Sequence, residues 1–385
     1  MLTQVIFWLC LLTFAYTYLG YPLVLKFLCA SRRPSPAPAL DAVPAAPPPS
    51  LSIILVARDE ARRIAARIAN LAACHYPGQR QLIVVCNACS DDTAKIARAW
   101  RGSLDILVVE QDDLPAKAAG LNRGVAAASG DLLVFADARQ DFDPDALVHL
   151  VAPFSNPQVA AVSGNLTIAA SASGAAAGID SYWQLERWIR KLESRWDSSI
   201  GCTGAIYALR RECFLPIPHD TILDDVVIPM QALVAGGRVL FEPSALAFDP
   251  QVLSPEQERR RKVRTLAGNY QMLFRYPAWL LPSRNRAWWQ LASHKYLRLG
   301  GPALLFACLA SASYLSALPS APLLYRFALA AQLACYALAA LGIALPSLRS
   351  RLLTLPAGFL FLQWQALRAL RYYLKLRHSS AAGGW

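Results

Sequence analysis

Apolar residues fall in four long blocks near the ends of the chain and in short, regularly interrupted bursts between them. The first block, residues 2–25 (LTQVIFWLCLLTFAYTYLGYPLVL), contains no charge and as a helix is long enough to cross ~30 Å of hydrocarbon. Its basic flank, Lys26, Arg32 and Arg33, comes after the block, whereas a cleaved leader carries its charge in front. The pattern predicts a membrane anchor over 1–28 with the following residues on the cytoplasmic side. Blocks 299–318 and 322–345, interrupted only by Arg326, predict a transmembrane hairpin. Block 352–367, followed by Arg368, Arg371, Lys375 and Arg377, predicts a third helix that spans the bilayer or lies in its interface.

Between the anchor and the centre, residues 32–50 hold PSPAPALDAVPAAPPP, a proline density that predicts an extended linker. From 51 to 280 the pattern changes. Runs at 51–56, 82–85, 106–109 and 132–136 read as buried strands. The segments 60–73, 91–100 (opened by Ser90) and 116–128 have helical spacing. Strand and helix alternating in series predict an α/β domain with a mostly parallel sheet, followed from 281 to 385 by a C-terminal membrane region. In such a sheet ligands sit beyond the carboxyl ends of the strands. The residues to inspect are Ala57, Arg58 and Glu60 after the first strand, 86–92 after the second, and 137–139 after the last.

Charge sharpens this division. The net +12 is carried by the ends: residues 281–385 hold eleven Lys or Arg and no acid, while 51–280 come out at −1. The folded domain carries no net positive charge, which argues against a nucleic-acid-binding core and suits ends that touch a bilayer. The nine cysteines show no pairing framework and read as free thiols. Dinucleotide, P-loop and nucleophile-elbow motifs are missing, and the five histidines have no metal-ligand spacing.

What remains is a series of acids and one lysine on successive strand ends: Glu60, Asp91, Lys117 at the head of a helix that runs through Asn122, and Asp137 directly after LLVFA. A carboxylate there can hold a divalent metal and a lysine can meet phosphate. Farther on, Thr203 and Gly204 stand in a small-residue segment. Asp224 and Asp225 head an apolar helix, where paired acids act either as a dipole-favoured cap or as a general base. Arg261 and Arg264 belong to the basic run QERRRKVRTLAG, either a solvated face or a phosphate clamp.

In this order and between these anchors, SIILVARDE, VVCNACSDDTAKIAR, KAAGLNRGVAAASGDLLVFADA, TGAIYALRR and ILDDVVIPMQALVAGGRVLFEP resemble the family 2 glycosyltransferases, in their bacterial membrane-bound branch related to polysaccharide synthases. The resemblance implies a GT-A-like domain that takes a nucleotide sugar, UDP-linked in most such sequences, and passes the sugar with inversion to a glycan or lipid-linked acceptor at the bacterial inner membrane. It implies a donor site at Ala57, Arg58, Glu60, Asn87, Asp91, Lys117, Asn122, Asp137 and Arg139, and a Mg or Mn ion on Asp137. Asp225 would be the base, supported by Asp224, with Thr203, Gly204, Arg261 and Arg264 on the acceptor or phosphate side. Three positions depart from the family pattern. Asn87 replaces a base-reading Asp, Asp137-Ala138-Arg139 replaces D-x-D, and Arg261 and Thr265 replace the Gln and Trp of Q-x-x-R-W. If positions 137 and 139 share a side, Arg139 points toward the diphosphate. A processive synthase-transporter and a catalytically degenerate scaffold are the alternative readings.

Overall fold

The computed structural model describes residues 1–31, 47–168, 175–250, 255–345 and 350–378. Most of the proline-rich segment, 32–46, lies outside them. An apolar helix, α1 (Leu2–Ala15), continues through one π-helical turn into α2 (Tyr21–Ala30). Then β1 (Leu51–Ala57), α3 (Ile64–Ala73), β2 (Arg80–Asn87), α4 (Thr93–Arg98), β3 (Asp105–Gln111), α5 (Lys117–Ala126) and β4 (Leu132–Ala136) alternate. They are followed by β5 (Asp141–Phe142), α6 (Ala146–Val151), β6 (Val159–Ile168), α7 (Ala175–Trp196), β7 (Ile206–Arg210), α8 (Asp224–Val234), β8 (Arg238–Asp249) and α9 (Pro255–Arg275). The chain ends in α10 (Trp288–Leu291), α11 (Leu297–Leu299), α12 (Gly301–Ser316), α13 (Leu323–Ala344) and α14 (Arg351–His378).

The strands form one sheet in the order β3-β2-β1-β4-β7-β6-β8-β5. β3, β2, β1 and β4 are parallel, as the alternation with helices requires. β7 then runs antiparallel to both β4 and β6, and β8 returns parallel to β6. Strand periodicity sorts the core into two layers. Ile54, Val56, Ile83 and Val85 face the cluster that includes α5 and α8, while Ile53, Leu55, Leu82 and Val84 face the side covered by α3 and α6. Both faces are buried, which is why these strands are continuous apolar runs rather than alternating ones.

Two helix starts differ from the sequence reading for one local reason. Residues 60–63 form a turn, in which the Glu60 carbonyl accepts from the Arg63 and Ile64 N–H groups, so α3 begins four residues late. Ser90 does not cap α4. Its N–H and hydroxyl both donate to Asp59 Oδ1, and the helix starts after Asp92.

At the ends, the stretches Leu2–Ala30 and Leu323–Ala344 are long and apolar enough to cross a membrane, with mean hydropathies of 1.6 and 1.9. The first arm of the expected hairpin is shorter than the apolar block suggests. It starts at Gly301 and meets the preceding helical arm, Trp288–Leu299, at a 62° bend. Pro302 sits at the start of that arm, where it breaks the helix without losing an intrahelical donor. α14 runs through the third block and its basic tail. Phe359 meets the Phe14 and Tyr18 rings of the N-terminal helix, and Tyr373 stacks on Phe274 of α9 at 5.6 Å. One helix thus joins the apolar bundle to the α/β domain.

A buried arginine fixes the end of β4. Arg67 of α3 is 1% exposed, donates through Nε to the Asp137 carbonyl at 3.0 Å, and lies 4.3 Å from the centre of the Phe142 ring. Burial lowers its pKa to about 10, and Cys74, Asp141 and Asp137 oppose that shift. Arg67→Met keeps the packed stem but removes the donor. The purified full-length variant should lose roughly 1–3 kcal/mol in denaturant unfolding, and an unchanged midpoint would show that the bond to Asp137 contributes nothing.

Candidate active site

β4 ends at Ala136, beside the antiparallel β7, so the backbone after it emerges where the sheet changes direction. Asp137 stands there. The helix start at Lys117 brings an ammonium to it: Nζ lies 2.9 Å from Asp137 Oδ1 and 3.4 Å from Asp224 Oδ2 at the head of α8. Burial would lower the Lys117 pKa, but Asp137, Asp224 and Asp225 outweigh it and hold the group above its ordinary value. Lys117 therefore stays charged and joins residues from three elements.

Asp225 is gripped from a different side. Its Oδ2 accepts the Gly204 N–H at 3.1 Å, and its backbone carbonyl accepts the Cys202 N–H at 2.8 Å. The turn that delivers these donors passes through Gly201 at φ +79, where an added Cβ would come within 2.9 Å of Val226. Only glycine tolerates both demands. Burial first, and the neighbouring Asp224 second, raise Asp225 to about 6, with Lys117 and Arg190 pulling the other way. Tyr207, stacked on Phe135 at 4.5 Å, has its buried hydroxyl in the field of Asp224 and Asp225 with no hydrogen-bond partner.

The donor-side residues divide. Ala57 is buried at the end of β1, Arg58 is half-buried beside it, and Glu60 pairs with Arg63 at 3.1 Å. Asp91 joins the loops after β1 and β2: Oδ2 accepts the Ala61 N–H and Oδ1 the Thr93 N–H, both at 3.0 Å. The Thr93 hydroxyl and these N–H groups hold its carboxyl below the ordinary range. Asn87 and Asn122 differ from the expectation. Asn87 is fully buried under α5 and donates to the Ala116 carbonyl at 2.7 Å, while its Oδ1 is buried without a partner. Asn122 bonds both backbone groups of Ile217, at 2.8 and 3.1 Å. Both amides hold the helix that carries Lys117: Asn87 at its N-cap residue, Ala116, and Asn122 through the loop at Ile217.

Arg139 also turns elsewhere. Its guanidinium binds Asp249 at the end of β8, 2.8 Å from Oδ2, and Gln140 donates to the same oxygen at 2.9 Å. Asp249 is 2% exposed, so the Arg139 charge offsets a buried carboxylate. On α9, Arg261 pairs with Glu258 at 2.7 Å and Arg264 is exposed. Thr203 donates its N–H to the Ser163 hydroxyl and sits beside Gly204.

The Lys117 ammonium bridges Asp137 and Asp224 with Asp225 adjacent, and three carboxylates against Lys117 and Arg190 leave the cluster net negative. Such a cluster suits an anionic diphosphate only with added positive charge. A divalent cation held by one carboxylate and by phosphate oxygens fits Asp137. Asp59, Cys89 and Asp91 also bring their ligand atoms within 4.8 Å of one another. Both carboxylates there already accept backbone and hydroxyl donors, and burial pushes the Cys89 thiol up, so this group ties two loops together. The sequence reading passed over Arg67, Asp249 and the stripe Glu186, Arg190 and Glu193. The last carried a signal, since i, i+4 and i+7 charges share one helix face.

Comparison with known proteins places the chain in a family. Residues 47–271 match the family model described as "Glycosyltransferase like family 2". The chain is 24% identical over 234 residues to a poly-beta-1,6-N-acetyl-D-glucosamine synthase of Staphylococcus aureus, covering 58% of this chain and 56% of that protein. The same identity and coverage hold for the synthase of Staphylococcus epidermidis. The match thus spans about half the length of these curated relatives. A solved mannosyltransferase from Pyrobaculum calidifontis, in complex with GDP-Man and Mn2+, superposes with a TM-score of 0.72 at 22% identity, over 96% of this chain and 99% of that one. That likeness establishes a shared GT-A fold.

Arg139 brings its guanidinium to the buried Asp249 carboxylate. Arg139→Ala breaks that buried ion pair and should cost about 3 kcal/mol of stability, read as a lower unfolding midpoint. A midpoint equal to that of the unaltered protein would mean that the ion pair is not needed to bury Asp249.

Proposed function

Since the chain belongs to the family 2 glycosyltransferases, we propose that it is a membrane-bound inverting enzyme that moves one sugar from a UDP-linked donor to a hydroxyl of a glycan or lipid-linked acceptor. The observation that carries the reading is Asp225: a half-buried carboxyl, raised to about 6, held by the Gly204 N–H beside the Lys117–Asp137 pair. Asp225 takes the proton of the acceptor hydroxyl as that oxygen bonds to the anomeric carbon. The bond from that carbon to the diphosphate breaks, and the nucleoside diphosphate departs. The transition state has oxocarbenium character, as in glycoside hydrolysis. Lys117 sits where charge builds on the leaving diphosphate. A Mg or Mn ion bound through Asp137 would add positive charge to that group.

Single addition is the mode that α9 favours. Arg261 and Thr265 stand where a processive synthase carries Gln and Trp, and Arg261 is committed to Glu258. In this proposal residues 1–28 anchor the protein, residues 281–385 form a C-terminal membrane region, and residues 51–280 work on the cytoplasmic face of the bacterial inner membrane. The two apolar helices, the bent third arm and the basic flank Lys26, Arg32 and Arg33 support that placement.

Asp225→Asn preserves shape and removes the proton acceptor. Transfer to acceptor should fall by roughly 10²-fold or more while nucleotide affinity stays within a few-fold. The unaltered enzyme should show kcat/KM rising through pH about 6 and level above it, because only the ionised Asp225 accepts a proton. Near-normal turnover by the variant would reduce the acid pair to a helix cap.

Metal dependence has its own signature. With one protein carboxylate in place, Mn2+ should bind weakly to the free protein by calorimetry and tighten when UDP is added. Chelation should abolish transfer, and full activity in excess chelator would exclude the Asp137 assignment.

A further inference from the structure

Outside the site lies a cluster of buried charge that the chemistry above does not use. His294 is fully buried and each ring nitrogen meets a carboxylate: Nε2 lies 2.7 Å from Glu186 Oε1 and Nδ1 lies 2.8 Å from Glu193 Oε1. Lys295 and Arg298 reach Glu186 at 3.1 and 2.8 Å. Tyr21, from the N-terminal apolar helix, donates its hydroxyl to Glu193 Oε1 at 2.5 Å, and its ring packs against Trp289. Burial works against the Glu186 charge, but His294, Lys295 and Arg298 outweigh it and hold that carboxyl well below its ordinary range. Taking carboxylates out of water costs several kcal/mol each unless they are fully paired. The cluster therefore brings α2, α7 and the bent arm together as a set.

The second oxygen of Glu193 points the other way. Oε2 accepts the Ile200 N–H at 3.3 Å. One residue later comes the Gly201 turn, and the next N–H groups, Cys202 and Gly204, are the two that hold Asp225. Arg190 lies on the same helical stripe and favours the Asp225 carboxylate. A continuous run of bonds therefore leads from Tyr21 through Glu193 and the 200–204 backbone to Asp225.

We infer that Glu193, held by Tyr21 and His294, is a positioning residue: it fixes the Gly201 turn and with it the Asp225 carboxylate, so that seating of the N-terminal helix sets the geometry of the base. This rests on the assignment of Asp225 as the base. A misplacement near 1 Å at a reacting group can cost as much as 10²-fold in rate, so loosening a turn two residues away from the Asp225 donors should act on turnover rather than on donor binding.

The test uses the full-length protein in phospholipid vesicles, with UDP binding, transfer rate and unfolding midpoint measured on each variant. Tyr21→Phe is the mild variant, since it removes one hydroxyl and keeps the ring on Trp289, and Glu193→Gln is the stronger one. Each should lower kcat by about tenfold with the dissociation constant for UDP within about twofold. Placed on Asp225→Asn, neither should lower the residual rate further, because the group being positioned is gone. A folded Tyr21→Phe protein with unaltered kcat, or an equal loss in the Asp225→Asn background, overturns the inference. If Asp225→Asn is slow while Tyr21→Phe is not, the base assignment survives and the positioning role falls. If Asp225→Asn is itself fully active, both fall.

Discussion

The site depends on one ammonium placed among carboxylates that the chain delivers from separate elements. Asp137 follows β4, Asp224 and Asp225 head α8, and each would repel the others in a partly buried site. Lys117 makes their proximity tolerable by lying 2.9 Å from one and 3.4 Å from another. Its own position is secured from behind. Asn87 holds the Ala116 carbonyl and Asn122 holds Ile217, so α5 presents its first residue at the sheet's edge without freedom to tilt. The arrangement is electrostatically incomplete by design of its composition: acids outnumber the bridging cation. That is the condition under which a substrate bringing both phosphate and a metal ion is accepted and a bare anion is not.

Sheet topology explains why these groups meet. The parallel half, β3 to β4, sends every strand end to the same side, and the reversal at β7 lets the 201–204 turn approach from the opposite direction. Asp225 is thereby fixed by backbone donors of the β7 lead-in, while Asp224 faces Lys117. Two adjacent acids acquire different surroundings, and burial together with the neighbouring Asp224 is what raises Asp225 to about 6.

Much of this could be read along the chain because it depends on local period and local punctuation. Continuous apolar runs marked β1, β2 and β4, and the ordered motifs placed Lys117, Asp137 and Asp225 at strand and helix ends. Contacts across long separations left no such mark. Nothing near Arg139 announces Asp249, which is brought to it by β8 lying against β5. Ser90 resembles an N-cap until Asp59, held at φ 53, takes both of its donors. On α9 the acids at 256 and 258 pair with Arg259, Arg260, Arg261 and Lys262 at i, i+3 and i, i+4 spacing, which offsets part of the basic run and leaves it net positive. Asn87 and Asn122 carry family-like spacing, yet what the spacing encodes in this structure is support of α5.

The charge clusters around His294 and around Lys117 solve opposite problems. Around His294 the cations and carboxylates satisfy one another, so the cluster behaves as a rigid joint between the apolar helices and α7. Around Lys117 the acids remain in excess, so the cluster keeps a net negative charge. A fully paired cluster gains nothing from a ligand, whereas an unbalanced one binds its ligand and pays for its own assembly in the free state. α7 touches both through a single face: Glu186 and Glu193 belong to the joint, and Arg190 lends charge to Asp225. Stability drawn from the joint is thus available to hold the unbalanced site together through the one helix that carries Glu186, Arg190 and Glu193.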